Sequence, residues 1–221
     1  MMNPVLVYCY DAYCGWCYGF SPVIKQIAIE YKNIMHTEVL SGGMILPDKP
    51  YHIIHTAQFV QKAYKNVEER TGIKFGEDYL WHVFNPDESD WFLDSMKPAI
   101  AMSIFKEYHP DQQAEFAADL QYAHHYEGRD LTDNESYRHL LVKYDIPDNE
   151  FYKKMAAEEY AEKARYEFAL VKQLRVTGFP CLLVQTDESK FYLVARGYTD
   201  YEAVKKSIQS VLNSIATSSS G

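Results

Sequence analysis

Val5-Leu6-Val7-Tyr8-Cys9-Tyr10 runs directly into Asp11-Ala12-Tyr13-Cys14-Gly15-Trp16-Cys17-Tyr18-Gly19, and the join between the two decides the fold. The first six residues are apolar, β-branched or aromatic and stop at Asp11, the composition of a buried strand. From Gly15 to Lys32 the apolar residues Tyr18, Val23, Ile27 and Tyr31 recur at helical spacing, while Pro22 removes one N–H and predicts a kink. A C-x-x-C pair therefore stands where a strand hands over to a helix. Spacing alone is weak evidence, since four cysteines in 221 residues give one such pair by chance in roughly one sequence in twenty. Position is the stronger signal. A sulfur in the first helical turn faces unpaired N–H groups and the positive end of the helix dipole, both of which favour thiolate over thiol. Cys14 is thus predicted to be the nucleophile, and Cys17, one turn inward and less exposed, the thiol that resolves the mixed disulfide.

Outward from this join, Ile34 to Leu40 alternates β-formers with His36 and Glu38 and ends at Ser41-Gly42-Gly43, which closes a βαβ unit. From about Pro47 to Arg175 the pattern is helical, with segments near 50–70, 97–108, 111–126, 134–144 and 157–174 and with Asp133 and Asp148 as N-caps. Beyond Gly178-Phe179-Pro180, strands over Cys181–Gln185 and Phe191–Ala195 flank a polar turn and form an antiparallel hairpin. Thr199-Asp200-Tyr201-Glu202 reads as a capping box opening a helix to about Ile215. The predicted organisation is an α/β domain from residues 1–46 and 175–216, an all-helical insertion over 47–174, and a flexible tail over 217–221.

Composition narrows the function. Twenty-two Lys and Arg against 31 Asp and Glu give a net charge of −9, which excludes a basic footprint for nucleic acid. A mean hydropathy of −0.36 and short apolar runs exclude a helical membrane span. The start, Met1-Met2-Asn3-Pro4, lacks a basic and apolar export signal, so a cytoplasmic protein is expected. Four cysteines are too few for a disulfide scaffold at this length. Zinc would need two further ligands, and Cys9, Cys181 and His124-His125 supply no second paired motif, so no metal is expected and the two histidines read as surface or core residues.

The stretch Asp11-Ala12-Tyr13-Cys14-Gly15-Trp16-Cys17-Tyr18-Gly19, together with Val176-Thr177-Gly178-Phe179-Pro180 and Glu127-Gly128-Arg129-Asp130-Leu131, resembles the DsbA-like thioredoxin-fold oxidoreductases, and within them the FrnE-type branch. The resemblance covers nearly the whole chain. It implies a thioredoxin fold, β-α-β then β-β-α, with the helical insertion lying over the dithiol and Pro180 in a cis peptide facing it. It implies a thiol–disulfide oxidoreductase or isomerase that needs no cofactor and exchanges with protein or small-molecule thiols and disulfides.

Several details qualify the chemistry. Many thioredoxin-fold enzymes carry a buried carboxylate where this chain has Tyr8, so Asp11 is the nearest candidate for a proton relay, with a turn-forming role as its equal alternative. Trp16 replaces the histidine of strongly oxidising relatives, which implies a less oxidising pair. Tyr13, Trp16, Tyr18 and Phe179 are candidates for a substrate groove, against the plain alternative of aromatic core packing. Cys9 and Cys181 are expected to be neighbours on adjacent strands, either as small core residues or as accessory thiols. Two other function classes compete: a glutathione-dependent transferase or isomerase of the kappa or hydroxychromene carboxylate isomerase type, which usually has serine in place of Cys14, and a thiol-independent chaperone.

Overall fold

In the computed structural model of the protein, which describes residues 3–218, strand β1 (Val5–Tyr10) is interior because both of its faces are apolar: Leu6 to Tyr10 are all buried. It pairs in parallel with β2 (His36–Ser41) and antiparallel with β3 (Cys181–Asp187), and β4 (Lys190–Arg196) completes a mixed sheet of order β2-β1-β3-β4. Helix α1 (Gly15–Tyr31) is the crossover between β1 and β2, and α9 (Tyr201–Ser218) follows the hairpin. This is the expected α/β thioredoxin-like arrangement with an extensive helical insertion.

Period-two alternation gives the sheet two cores. Leu6, Tyr8 and Tyr10 pack with Phe20, Ile24 and Ile27 of α1 in the larger one. Val7 and Cys9 turn to the other face, where they meet Leu40, Val171, Cys181 and Leu183.

The insertion comprises α2 (Ile54–Thr71), α3 (Glu77–Phe84), α4 (Met96–Tyr108), α5 (Gln113–His125), α6 (Arg138–Lys143), α7 (Asp148–Met155) and α8 (Glu158–Gln173). Met102, Phe105 and Phe116 from this block share the larger core with Leu6 and Tyr8, so the inserted helices and the sheet are packed as one body. A buried cation adds to the join. Lys106 Nζ donates to Glu38 Oε1 at 2.5 Å, the Val39 carbonyl at 2.5 Å and Glu167 Oε1 at 2.6 Å, and Glu167 Oε2 accepts from the Ser41 N–H at 2.8 Å. One ammonium thus ties α4 and α8 to β2.

Several local expectations shift. Helix α3 falls between the segments expected near 50–70 and 97–108, and the segment near 134–144 divides into a 3₁₀ turn (Asn134–Tyr137) and α6. Helix α1 is unbroken at Pro22. Asp133 caps as expected, accepting from the Glu135 N–H at 3.1 Å. Asp148 is instead the first residue of α7, after Pro147. The cap of α9 is Asp200, whose carboxylate accepts from the Ala203 N–H at 2.9 Å, whereas the Thr199 hydroxyl turns back to the Gly197 carbonyl. Of the tail expected over 217–221, Thr217 and Ser218 belong to α9 and the remainder lies outside the described residues. No described helix is long and apolar enough to cross a membrane.

Candidate active site

The site begins where β1 ends. Asp11 is 2% exposed, and its carboxylate accepts from the Tyr13 N–H (3.1 Å), the Ser95 hydroxyl (3.1 Å) and the Met44 N–H (2.7 Å). One side chain therefore holds together the β1–α1 loop, the segment after β2 and the start of α4. Burial pushes its acidity weaker than usual, an effect opposed by those three donors. Gln121 of α5 supplies a second tie, donating to the Asp11 carbonyl at 3.2 Å and accepting from Ser21 of α1 at 2.8 Å.

These ties present Cys14 as the N-cap of α1. Its backbone is extended (φ −82°, ψ 107°), its N–H donates to the Asp11 carbonyl at 3.1 Å, and its Sγ accepts from the Cys17 N–H at 3.2 Å. The sulfur occupies the position that a serine or aspartate oxygen takes in an ordinary cap. On its other side Sγ lies 3.7 Å from the Phe179 carbonyl oxygen, to which the thiol donates. Cys14 is 7% exposed and Cys17 fully buried. Burial, followed by the hydrogen bond to Cys14 and the charge of Cys14, pushes the Cys17 thiol well above its ordinary range. All four cysteines are unbridged thiols.

Phe179 stands opposite the helix start because the loop from α8 delivers it there. The Phe179–Pro180 peptide bond is cis, as the resemblance implies, and β3 begins at the next residue. The Pro180 carbonyl accepts from the Gly197 N–H at 2.8 Å, which joins the loop to the end of β4. The ring of Phe179 rests on Gly42, where an added Cβ would come within 2.1 Å of it. Gly42 thus does more than end β2; it is the floor on which Phe179 lies.

Cys14 opens onto a cavity of about 390 Å³ whose walls include Trp16, Phe59, Tyr64, Phe75 and Phe179. No charged side chain lines it among the described residues. Phe59, 70% exposed, stands at the rim, and the Arg70 guanidinium stacks over Trp16 with its carbon 5.5 Å from the ring centroid.

The structure brings Tyr13, Trp16 and Phe179 to this cavity with Cys14. Tyr18 goes elsewhere. One residue past Cys17 on a helix is a turn of about 100°, and Tyr18 donates to the Lys74 carbonyl at 2.9 Å, stacks on His125 and lines a separate groove with Tyr122 and Tyr126. It does not line the cavity, which corrects the groove role expected for it. Asp11 makes no hydrogen bond to either sulfur through its carboxylate among the described residues; its observed role is to set the loop. His124 and His125 are both buried, so of the two readings offered for them the core one holds. Cys181 begins β3 directly opposite Cys9 in the β1–β3 register. The described residues contain no cluster of three His, Cys, Asp or Glu side chains that could hold a metal ion.

Sequence reasoning missed Ser95, Gln121 and Gly42. Their partners lie 84, 110 and well over 100 residues away in the chain, and no local pattern marks such contacts.

Residues 5–209 match the DSBA-like thioredoxin domain. The chain belongs to that family. Members of the DSBA-like family are thiol–disulfide oxidoreductases, and the closely placed Cys14 and Cys17 fit its C-x-x-C pair. Among solved structures, the chain is similar to a candidate protein disulfide isomerase from Nitrosomonas europaea, at 25% identity and TM-score 0.83, over 96% of this chain and 99% of that one. It also has the fold of the cytosolic disulfide reductase DsbM from Pseudomonas aeruginosa, at 23% identity and TM-score 0.77, over 95% and 98% of the two chains. A 2-hydroxychromene-2-carboxylate isomerase shares the fold at 9% identity and TM-score 0.62, over 98% of each chain. No curated protein sequence matches the chain.

Proposed function

We propose that this DSBA-like protein is a cytoplasmic, FrnE-type thiol–disulfide oxidoreductase that reduces or reshuffles disulfides through Cys14 and Cys17. The observation that carries the reading is the placing of Cys14 Sγ between the Cys17 N–H and the Phe179 carbonyl, at the wall of an open cavity. In the first step the Cys14 thiolate attacks one sulfur of a substrate disulfide; the Cys14–substrate bond forms, the substrate S–S bond breaks, and one thiolate leaves with the electron pair. Charge on Sγ during this step faces the Cys17 N–H and the start of α1. In the second step Cys17 attacks Cys14, the internal disulfide forms and the second substrate thiol is released. Two electrons pass from the dithiol to the substrate, and an external thiol restores the pair.

The cis-Pro180 loop supports a place for an extended substrate segment, since Pro180 has no N–H and the Phe179 backbone borders Cys14. An uncharged lining fits a substrate whose sulfur is flanked by apolar groups, in a protein or a small thiol compound. DsbM, which shares the fold, has also been crystallised with GSH, and glutathione is accordingly the first external thiol to try.

Insulin reduction tests the assignment. Cys14→Ser should abolish turnover, and Cys17→Ser should leave a protein that accumulates mixed disulfides through Cys14 on non-reducing gels. Full activity in Cys14→Ser would remove the assignment, and conjugation of glutathione without disulfide exchange would point to the transferase reading instead.

A further inference from the structure

In the core that the dithiol shares, the Tyr8 hydroxyl is left over. Tyr8 is wholly buried in β1, and its ring lies 5.6 Å from that of Tyr10 and 5.9 Å from that of Phe20. Phe20 follows Cys17 by three residues and so shares its face of α1, and both pack in one core with Tyr8. The Tyr8 hydroxyl has no hydrogen-bond partner of ordinary geometry. Leaving a buried hydroxyl unpaired is costly, and such a group calls for an explanation. Its neighbours supply one. After burial itself, Cys17 and then Cys14 are the groups that most strongly oppose ionisation of Tyr8, and Cys17 shares the larger core with it. A phenol held this far above its usual range keeps its proton throughout the neutral range, so it acts as a donor and not as a base.

We propose that Tyr8 is a positioning residue for the second step of exchange, donating its O–H to Cys17 Sγ when that sulfur becomes a thiolate. The inference rests on the reading of Cys17 as the resolving thiol. The step balances without Tyr8 changing state. Cys17 loses its proton to solvent, its sulfur bonds to Cys14, the bond between Cys14 and the substrate sulfur breaks, and the departing thiolate is reprotonated by solvent. What the phenol changes is the cost of baring a thiolate in a fully buried place. Cys17 is otherwise pushed strongly toward its neutral form by burial and by Cys14, with the Asp11 N–H as an opposing contact.

The size of the effect follows from two opposed trends. Losing a donor worth one pKa unit cuts the thiolate population tenfold when the pKa lies above the pH. The remaining thiolate is more nucleophilic by the Brønsted factor for thiol exchange, an exponent of about 0.4–0.5, so the net slowing is about three- to fourfold.

The experiment is a stopped-flow reaction of the reduced protein with 5,5′-dithiobis(2-nitrobenzoate). Attack by Cys14 releases the first thionitrobenzoate and attack by Cys17 releases the second, which separates the two steps in one trace. Tyr8→Phe should leave the first phase unchanged, slow the second three- to fourfold at neutral pH and move its pH midpoint upward by about one unit. Its melting temperature should equal or exceed that of the parent, because the hydroxyl removed had no partner. Site-specific 3-fluorotyrosine at position 8, a stronger donor of the same shape, should accelerate the second phase. Equal second phases in all three proteins would overturn the inference while leaving the redox reading intact. A parent protein that shows no second phase would overturn the role of Cys17, and the role of Tyr8 with it.

Discussion

Cys9 and Cys181 face each other at a hydrogen-bonded position of the β1–β3 ladder. They are register partners, and two independent contacts fix which kind of pair they form. Gly197 N–H donates to the Pro180 carbonyl, so on the β4 side Pro180 is the hydrogen-bonded residue and the N–H and C=O of Cys181 point toward β1. Gly42 N–H donates to the Tyr10 carbonyl, so the polar groups of Tyr10 point to β2 and those of Cys9 point to β3. At such positions opposite Cα atoms are about 5.5 Å apart and side chains stand farther from one another than at the alternate sites. A disulfide needs Cβ atoms about 3.5–4.5 Å apart.

The two thiols should therefore remain reduced when the Cys14–Cys17 pair is oxidised. Burial also pushes both away from the thiolate form, Cys9 more strongly. Alkylation after denaturation, followed by peptide mass analysis, should find Cys9 and Cys181 free in glutathione-oxidised protein. Cys181→Ala should move the potential of the active pair by less than about 30 mV, equivalent to about 1.4 kcal/mol for two electrons. A Cys9–Cys181 bridge in the native protein would contradict the ladder argument.

Acid should weaken the fold well above the range in which carboxylates titrate. Burial holds His124 near a pKa of about 4 and pushes His125 well below its usual value, whereas an unfolded histidine titrates near 6.5. Between those values the unfolded chain binds the extra proton, so stability falls as pH drops from about 6.5 to about 4. For His124 alone the loss is on the order of 3 kcal/mol. His124→Phe keeps a ring against Tyr13, 4.8 Å away, and should flatten this limb in urea melts at pH 7 and pH 4.5. An unaltered slope would mean that His124 is not the group taking up the proton.

Gly42→Ala should disturb the active site without touching a sulfur. The added methyl meets the Phe179 ring at 2.1 Å, and crowding of this kind costs about 1–3 kcal/mol. The ring must move, and with it the carbonyl beside Cys14. A lower melting temperature and a slower first phase of thiol release are expected together. A normal first phase would show that the Phe179 carbonyl can be displaced without consequence for Cys14.

The parts of this site that were legible in the sequence are those built by neighbours in the chain. The β1–α1 join could be read because a strand composition, a helical period and two thiols coincide within about fifteen residues, and the same holds for the loop at Pro180. The parts that were not legible depend on residues far apart. Nothing in the period of α5 marks Gln121 as the tie to Asp11, and nothing around Ser95 marks it as a donor to the same carboxylate 84 residues earlier. Tyr18 was misread for a different reason. Adjacency to Cys17 in sequence does not carry over to the side chains, because a single step of helical rotation turns Tyr18 to a different groove.

The contact between Cys14 and Phe179 spans 165 residues, and this sets an order of events during synthesis. At about 5–20 residues per second, the helix-start thiol emerges roughly 10–30 s before the carbonyl that will border it. The central strand is in the same position, since β1 can pair with β2 early but must wait for β3. During that interval the nascent chain carries its reactive sulfur without the wall that shapes access to it, and with one edge of β1 bare. A ribosome-bound chain halted before residue 179 should therefore be trapped by small disulfides that the finished protein turns over.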